Sequence, residues 1–213
     1  MTKNASAAKI EERWLQFINQ DSLSQQELAR FKTYAKLLYE WNQKFNITAV
    51  EEIPAIISHH FQDSLRLAIA IDISKISTLV DVGSGGGFPG IPLAIKHPHL
   101  KIILIEVSHK KIQFLEEVIG QLGLQDQVSI FDNDWRTFLR TTHFEVDVIC
   151  ARASLQPEEL LRMFKPASPY KDALLVYWAS SLWEPSDLVR PYIQEYVEYK
   201  VGNKGRRLAM LKR

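Results

Sequence analysis

Residues 79–95, LVDVGSGGGFPGIPLAI, place four glycines in the five positions 83–87, between an apolar run and a Pro-Gly-Ile-Pro segment. Glycine loses more backbone entropy on folding than any other residue, so such a cluster is costly unless a tight turn or a close approach requires it. An apolar run that enters glycines and leaves into a helix is the opening unit of an open α/β sheet. Ligands of such sheets bind at the carboxyl ends of the strands, where helix N-termini offer free N–H groups.

The segments downstream repeat that rhythm. TLVDV (78–82), KIILIE (101–106), QVSIF (127–131), EVDVIC (145–150) and ALLVYW (173–178) are short, apolar and rich in β-branched residues. Helical stretches separate them, a pattern that predicts parallel strands covered on both faces. The chain then reads EYVEYKV (195–201), GNKG (202–205) and RRLAMLK (206–212), two strands around a glycine-containing turn. Five parallel strands followed by an antiparallel hairpin is the order of class I methyltransferases. The expected fold is α/β, a Rossmann-like sheet of about seven strands.

Residues 1–72 read as a helical cap on the core formed by residues 73–213. Ser24-Gln25-Gln26-Glu27 is a capping box. Leu28, Phe31, Ala35, Leu38, Asn42 and Phe45 follow at helical spacing. Pro54 opens another helix, with Ile56, Ile57, Phe61, Leu65 and Ala68 on its buried face.

Composition narrows the class. The 213 residues are 46% hydrophobic and 24% charged, enough for one sizeable core. No apolar run reaches the length of about 18 residues that a membrane-spanning helix needs, and MTKNASAAKIEERW lacks the apolar centre of a signal peptide. A single cysteine, Cys150, excludes an internal disulfide framework and points to the cytoplasm. Net charge is only +1, so contact with a polyanion has to be local, as at VGNKGRRLAMLKR. His59-His60 and His97-x-His99 lack the further ligands of a tetrahedral set, so no metal is expected.

Spacing around the glycines discriminates among ligands. Phe88-Pro89 stands where a phosphate-binding Walker loop needs Lys-Ser/Thr, and Phe88 also breaks a G-x-G-x-x-G reading from Gly83. Asp81-x-Gly83-x-Gly85-x-Gly87 is similar to motif I of S-adenosylmethionine-dependent methyltransferases. A carboxylate there suits the ammonium of that ligand, whereas it would repel a pyrophosphate. Glu106 lies 23 residues after Gly83, at the end of the second strand, where it can accept ribose hydroxyls. Asp134 and Trp135 follow the third strand, offering an acceptor for an adenine amine and a ring to stack on it. Phe88 and Arg136 complete that candidate set.

At this point the chain resembles the 16S ribosomal RNA guanine-N7 methyltransferases, also called glucose-inhibited division protein B. The matching segments are WNQKFNITAV (41–50), HHFQDSL (59–65), DVGSGGGFPGIPLAI (81–95), KKIQFLEEV (110–118), ARASL (151–155) and GRRLAMLK (205–212). The resemblance implies methyl transfer to small-subunit rRNA, free or in a particle, by a soluble protein expected to be monomeric. Guanine N7 carries a lone pair and no proton, so positioning rather than general base catalysis should dominate. By the same resemblance Arg152 and Arg206 are the catalytic candidates, and Arg152 also borders the cofactor. Lys110, Lys111, Arg206 and Arg207 would contact RNA, and Asp63 shapes the pocket mouth or caps a helix turn. The chain departs from the family pattern at Gly86, normally proline, at Asp134, normally arginine, and at Tyr177-Trp178-Ala179, normally Leu-Lys-Gly. Those departures leave two alternatives: methylation of another RNA or a small substrate, and a non-catalytic S-adenosylmethionine-binding module.

Overall fold

The computed structural model of the protein describes residues 2–50 and 52–213, with side chains from residue 7 onward. Strands β1 (Thr78–Val82), β2 (Lys101–Ile105), β3 (Val128–Phe131), β4 (Val148–Arg152) and β5 (Leu174–Ser180) pair in parallel. Strands β6 (Ile193–Val201) and β7 (Lys204–Leu211) form the antiparallel hairpin, and β7 joins β5. The seven-stranded order is β3-β2-β1-β4-β5-β7-β6, so the chain reverses its direction of growth at β1. The glycine loop therefore emerges at the switch point, where α/β sheets bind ligands.

Side-chain alternation divides the core in two. Leu79, Ile102, Leu104, Val148, Cys150, Val176, Leu208 and Met210 face one layer, and Val80, Val82, Ile103, Ile105, Ile149, Ala151, Leu175 and Ala209 the other. Strand β1 has both its faces covered, which is why it reads as a nearly continuous apolar run. Edge strand β6 instead carries Glu195, Glu198 and Lys200 on exposed positions, which discourage further strand pairing.

Helices α1 (Thr2–Asp21) and α2 (Gln25–Phe45) pack on the first layer. The capping box forms as expected: Ser24 N–H donates to Glu27 Oε2 at 2.6 Å, and Glu27 N–H to Ser24 Oγ at 3.2 Å. Phe31, Ala35, Leu38 and Asn42 are buried, whereas Phe45, at the last turn, is exposed. Among the described residues no helix is long and apolar enough to cross a membrane.

The segment after Pro54 departs from the single helix expected. It runs as α3 (Ile53–Ile56), a π-helical turn (Ile57–Gln62), α4 (Asp63–Leu65) and α5 (Leu67–Ala70). The wider i→i+5 turn changes the helical phase, so Leu67 rather than Ala68 reaches the core. The same turn carries His59 and His60, with Asp63 directly after it. Helices α6 (Gly90–Lys96), α7 (His109–Leu122), α8 (Trp135–Thr141) and α9 (Pro157–Leu160) connect the parallel strands.

Phe61 joins the N-terminal helices to the glycine loop. Its ring lies 5.0 Å from Phe31, 5.2 Å from Tyr34 and 6.2 Å from Phe88 of the glycine loop, and none of it is exposed. Phe61→Ala should cost about 3–5 kcal/mol of stability, read by urea unfolding. Leu15→Ala, at a side chain 58% exposed, should stay within about 0.5 kcal/mol.

Candidate active site

The four clustered glycines serve different needs. Gly83, Gly85 and Gly87 have φ of +67°, +58° and +89°, in the left-handed region that side chains avoid. Gly83 also abuts the chain after β4, since a Cβ there would lie 2.5 Å from Ser154 Cβ. Gly87 is buried, and a Cβ would meet Ile91 at 2.6 Å and the Tyr34 hydroxyl at 2.8 Å, so it serves cap packing. The Tyr34 hydroxyl donates to the Gly86 carbonyl, joining α2 to the loop. Only Gly83 and Gly85 keep part of their surface open.

Two carboxylates hold this loop. Glu106, directly after β2, accepts Gly85 N–H at 2.8 Å on Oε2 and the N–H groups of Val107 and Ser108 at 3.0 and 2.9 Å on Oε1. Asp81 is fully buried under the loop and accepts Gly90 N–H at 2.9 Å on Oδ2. Among the described residues its Oδ1 has no partner, and neither does the buried Ser154 Oγ. Burial pushes the Asp81 carboxyl up to about 7, against the lowering effects of Gly90 N–H and Arg152.

At the end of β4 Arg152 reaches Asp63. Asp63 Oδ2 accepts Arg152 Nε at 2.8 Å and Arg206 Nη2 at 3.0 Å, and Oδ1 accepts the Tyr199 hydroxyl at 2.7 Å. The Asp63 main-chain carbonyl accepts the Trp178 indole N–H at 3.1 Å. Burial and the Asp63 charge raise the Tyr199 hydroxyl well above the ordinary tyrosine range, so it remains a donor.

His60 orients Arg152 from the other side. Its ring stacks on Phe88, with centroids 4.3 Å apart and planes at 12°, and the Arg152 guanidinium lies 5.7 Å from the same Phe88 ring. Arg152 Nη2 lies 3.2 Å from His60 Nδ1, and Thr48 Oγ1 lies 2.8 Å from Nε2. An arginine can only donate, which assigns the tautomer with Nδ1 accepting and Nε2–H donating to Thr48. Burial, then the Arg152 charge, lowers His60 from 6.5 to about 3, consistent with a neutral ring. Thr48 is itself held by Asn42 Oδ1, which accepts its N–H at 2.9 Å. The Asn-Ile-Thr segment thus connects α2 to the guanidinium.

A cavity of about 160 Å³ opens over this cluster, lined by Val50, His59, His60, Asp63, Arg152, Val201, Lys204 and Arg206. Of the two readings the sequence allows for Asp63, the pocket mouth is where it lies, whereas His60, Tyr199 and Trp178 carry no site role in the sequence reading. The match around Asp63 was the one signal for it, whereas Tyr199 reads as an ordinary strand aromatic.

Several candidates are placed elsewhere. Trp135 is buried in the second layer, stacked on Phe138 at 6.0 Å, and offers no face for adenine. The Asp134 carboxylate is exposed and caps α8 through Thr137 N–H at 2.8 Å. Arg136 forks onto Glu159 at 2.7 and 3.1 Å. Arg207 points opposite to Arg206, as strand alternation requires, and binds Glu198 at 2.9 Å and the Ser181 carbonyl. Phe88 is a packed wall behind His60, and Asp81 exposes no surface for direct contact. Lys110 is exposed in the first turn of α7, 5.3 Å over the Phe45 ring, with half-buried Lys111 beside it.

Comparison with known proteins accords with this geometry. The family model described as "GidB: rRNA small subunit methyltransferase G" matches residues 27–187. "Ribosomal RNA small subunit methyltransferase G" of Geobacillus thermodenitrificans is 38% identical over 176 residues, covering 82% of this chain and 71% of that protein. The chain belongs to this family. A protein of the same name from an Exiguobacterium species is 40% identical over 133 residues, 62% of this chain and 56% of the relative. A solved "SAM dependent methyltransferase from Aquifex aeolicus" shares the fold, with a TM-score of 0.55 at 18% identity over 74% of this chain and 93% of that one.

One departure from the family pattern has a structural explanation. At Trp178, read from the sequence as a departure, the buried indole is committed to the Asp63 carbonyl, so it adds an anchor to the cluster.

The two perturbed groups have opposite effects on stability. Folded Asp81 keeps its proton up to about pH 7 but loses it near 3.8 when unfolded, so its stabilising contribution falls as pH rises through that window. His60, neutral when folded down to about pH 3, contributes stability that falls as pH drops below 6.5. Asp81→Asn removes only the first slope. The stability of this variant relative to wild type should rise between pH 4 and 7 and level off above, measured by urea unfolding. A difference independent of pH would refute the raised carboxyl.

Proposed function

We propose that this protein transfers the methyl group of S-adenosylmethionine to a guanine N7 of 16S rRNA, in the small ribosomal subunit or an assembly intermediate. We further propose that it works as a cytoplasmic monomer, with residues 1–72 as a helical cap on the 73–213 core. The observation that carries the reading is the arginine-lined cavity beside the glycine loop. Arg152 lines it, and two residues later Ser154 packs against Gly83.

The loop suits an amino-acid-bearing nucleoside. A Cβ at Gly85 would meet nothing closer than 3.9 Å, and two unpartnered buried oxygens, Asp81 Oδ1 and Ser154 Oγ, belong to residues on either side of the loop. An ammonium reaching Asp81 through a water would favour its ionised form. Glu106 Oε2 holds one amide and has a lone pair left for a ribose hydroxyl. When bound, S-adenosylmethionine supplies a methyl carbon activated by its sulfonium.

Guanine N7 carries a lone pair and no proton, so the transfer would need no general base among these residues. The protein's work is alignment of the two reactants. Arg152 Nη1 has no hydrogen-bond partner among the described residues and donates to guanine O6 or a phosphate, leaving N7 free to attack. Asp63 and neutral His60 fix that guanidinium on two sides. Arg206, shared by Asp63 and the cavity, contacts substrate beside it, and Lys110 and Lys111 contact phosphates.

The test is transfer of tritiated methyl to unmethylated 30S subunits and to their extracted RNA, followed by N7-specific strand scission. Label at a guanine N7 is expected, and absence of label on both substrates would overturn the reading. Arg152→Lys keeps the charge beside Asp63 but loses the planar fork, so it should lower the transfer rate about 100-fold with little change in cofactor affinity.

A further inference from the structure

A second cavity, of about 240 Å³, lies on the other side of Val201 from the Asp63 pocket, and Val201 lines both. Its wall brings together three cations from distant parts of the chain: Arg13 on α1, Arg66 between α4 and α5, and Lys200 on β6. Arg66 is held in place, with Nη2 on the Asp21 carboxylate and Nε on the Gln62 carbonyl at 3.1 Å. Among the described residues, neither Arg13 nor Lys200 has a carboxylate within 4.0 Å. Three cations thus meet one carboxylate, and that carboxylate is already engaged by Arg66.

We infer that this cavity binds a backbone phosphate of the substrate RNA, next to the nucleotide whose base enters the Asp63 pocket. The inference rests on the rRNA methyltransferase reading and extends it to a subsite. Clustering like charges without enough acid is unfavourable by itself, and an anion in the cavity relieves it. The two cavities share a wall beside the β6–β7 turn, where Lys204 lines the first and Gly202 the second. A strand with its base over Arg152 and Arg206 can therefore lay its backbone across that turn. A local site of this kind also accounts for RNA binding by a chain whose net charge is only +1. Phosphate contacts of this sort set register and orientation and carry no sequence information.

The test is the double variant Arg13→Gln/Lys200→Gln, two residues outside any ion pair among the described residues, compared with wild type on extracted 16S rRNA across a salt series. Loss of one phosphate contact should reduce the slope of log K against log salt by about 0.7–0.9 and weaken binding roughly fivefold to tenfold near 0.1 M salt. S-adenosylmethionine affinity should stay at the wild-type value, and thermal stability should stay level or rise as the like charges are removed. The control Lys165→Gln/Arg213→Gln removes equal charge from a separate cavity and should leave the slope unchanged.

An unchanged slope in the test variant, with wild type still methylating RNA, would overturn the subsite and leave the enzyme reading intact. Equal losses in test and control would reduce the effect to net charge and likewise overturn it. Stabilisation of wild type but not of the variant by inorganic phosphate at fixed ionic strength, without a change in RNA slope, would make this a free-phosphate site and reject the inference. A wild-type protein that neither binds nor methylates RNA would remove both readings together.

Discussion

Asp63 is the residue through which four separate parts of the fold are tied together, three by its carboxylate and one by its main-chain carbonyl. Arg152 ends β4, Trp178 lies on β5, Tyr199 on β6 and Arg206 on β7, and all four donate to this one residue of the cap. Removing one partner from a buried charge cluster typically costs about 3–5 kcal/mol, because the remaining charge stays desolvated. The cluster is therefore a junction between cap and sheet as well as the floor of the candidate site. Two positive charges share one negative one, and the excess faces the cavity where an electron-rich base would enter.

Precision at Arg152 comes from a relay that begins in the helical cap. Asn42 holds Thr48, Thr48 receives the His60 N–H, and His60 accepts from Arg152 while stacking on Phe88 of the glycine loop. Each step depends on a polar group having few alternative partners once buried. The cap thus takes part in the site: it supplies Asp63 and fixes the tautomer of the ring beside the guanidinium. The Tyr34 bond to Gly86 adds a second connection, so the glycine loop and the Arg152 side of the cavity are braced by the same helix.

Much of this was legible beforehand for concrete reasons. Strand β1 was read with its boundaries correct, because apolar residues on both faces of a central strand leave an unambiguous run. The hairpin followed from Gly202 and Gly205 between alternating segments, and the capping box from Ser24 and Glu27. The π turn at 57–62 was not legible, since its residues, Ile-Ser-His-His-Phe-Gln, are equally compatible with an α-helix. The burial of Trp135 and the capping contact of Asp134 were not legible, because a position after a strand end says nothing about which way a ring turns or which N–H a carboxylate finds first. Arg206 and Arg207 were both read as RNA contacts, yet strand alternation sends them to opposite faces.

The sequence by itself determined the α/β class, the location of the glycine loop and the family, because periodicity and short motifs are local properties of the chain. Only the tertiary structure decided that Asp63, Tyr199, Trp178 and Arg206 share one site, since they lie up to 143 residues apart. It also separated Gly83 and Gly85, which keep open surface, from Gly87, which packs beneath Tyr34. The physical reason is common to both cases. Burial, charge pairing and side-chain direction are set by what the folded chain places nearby, and no local window of residues contains that information.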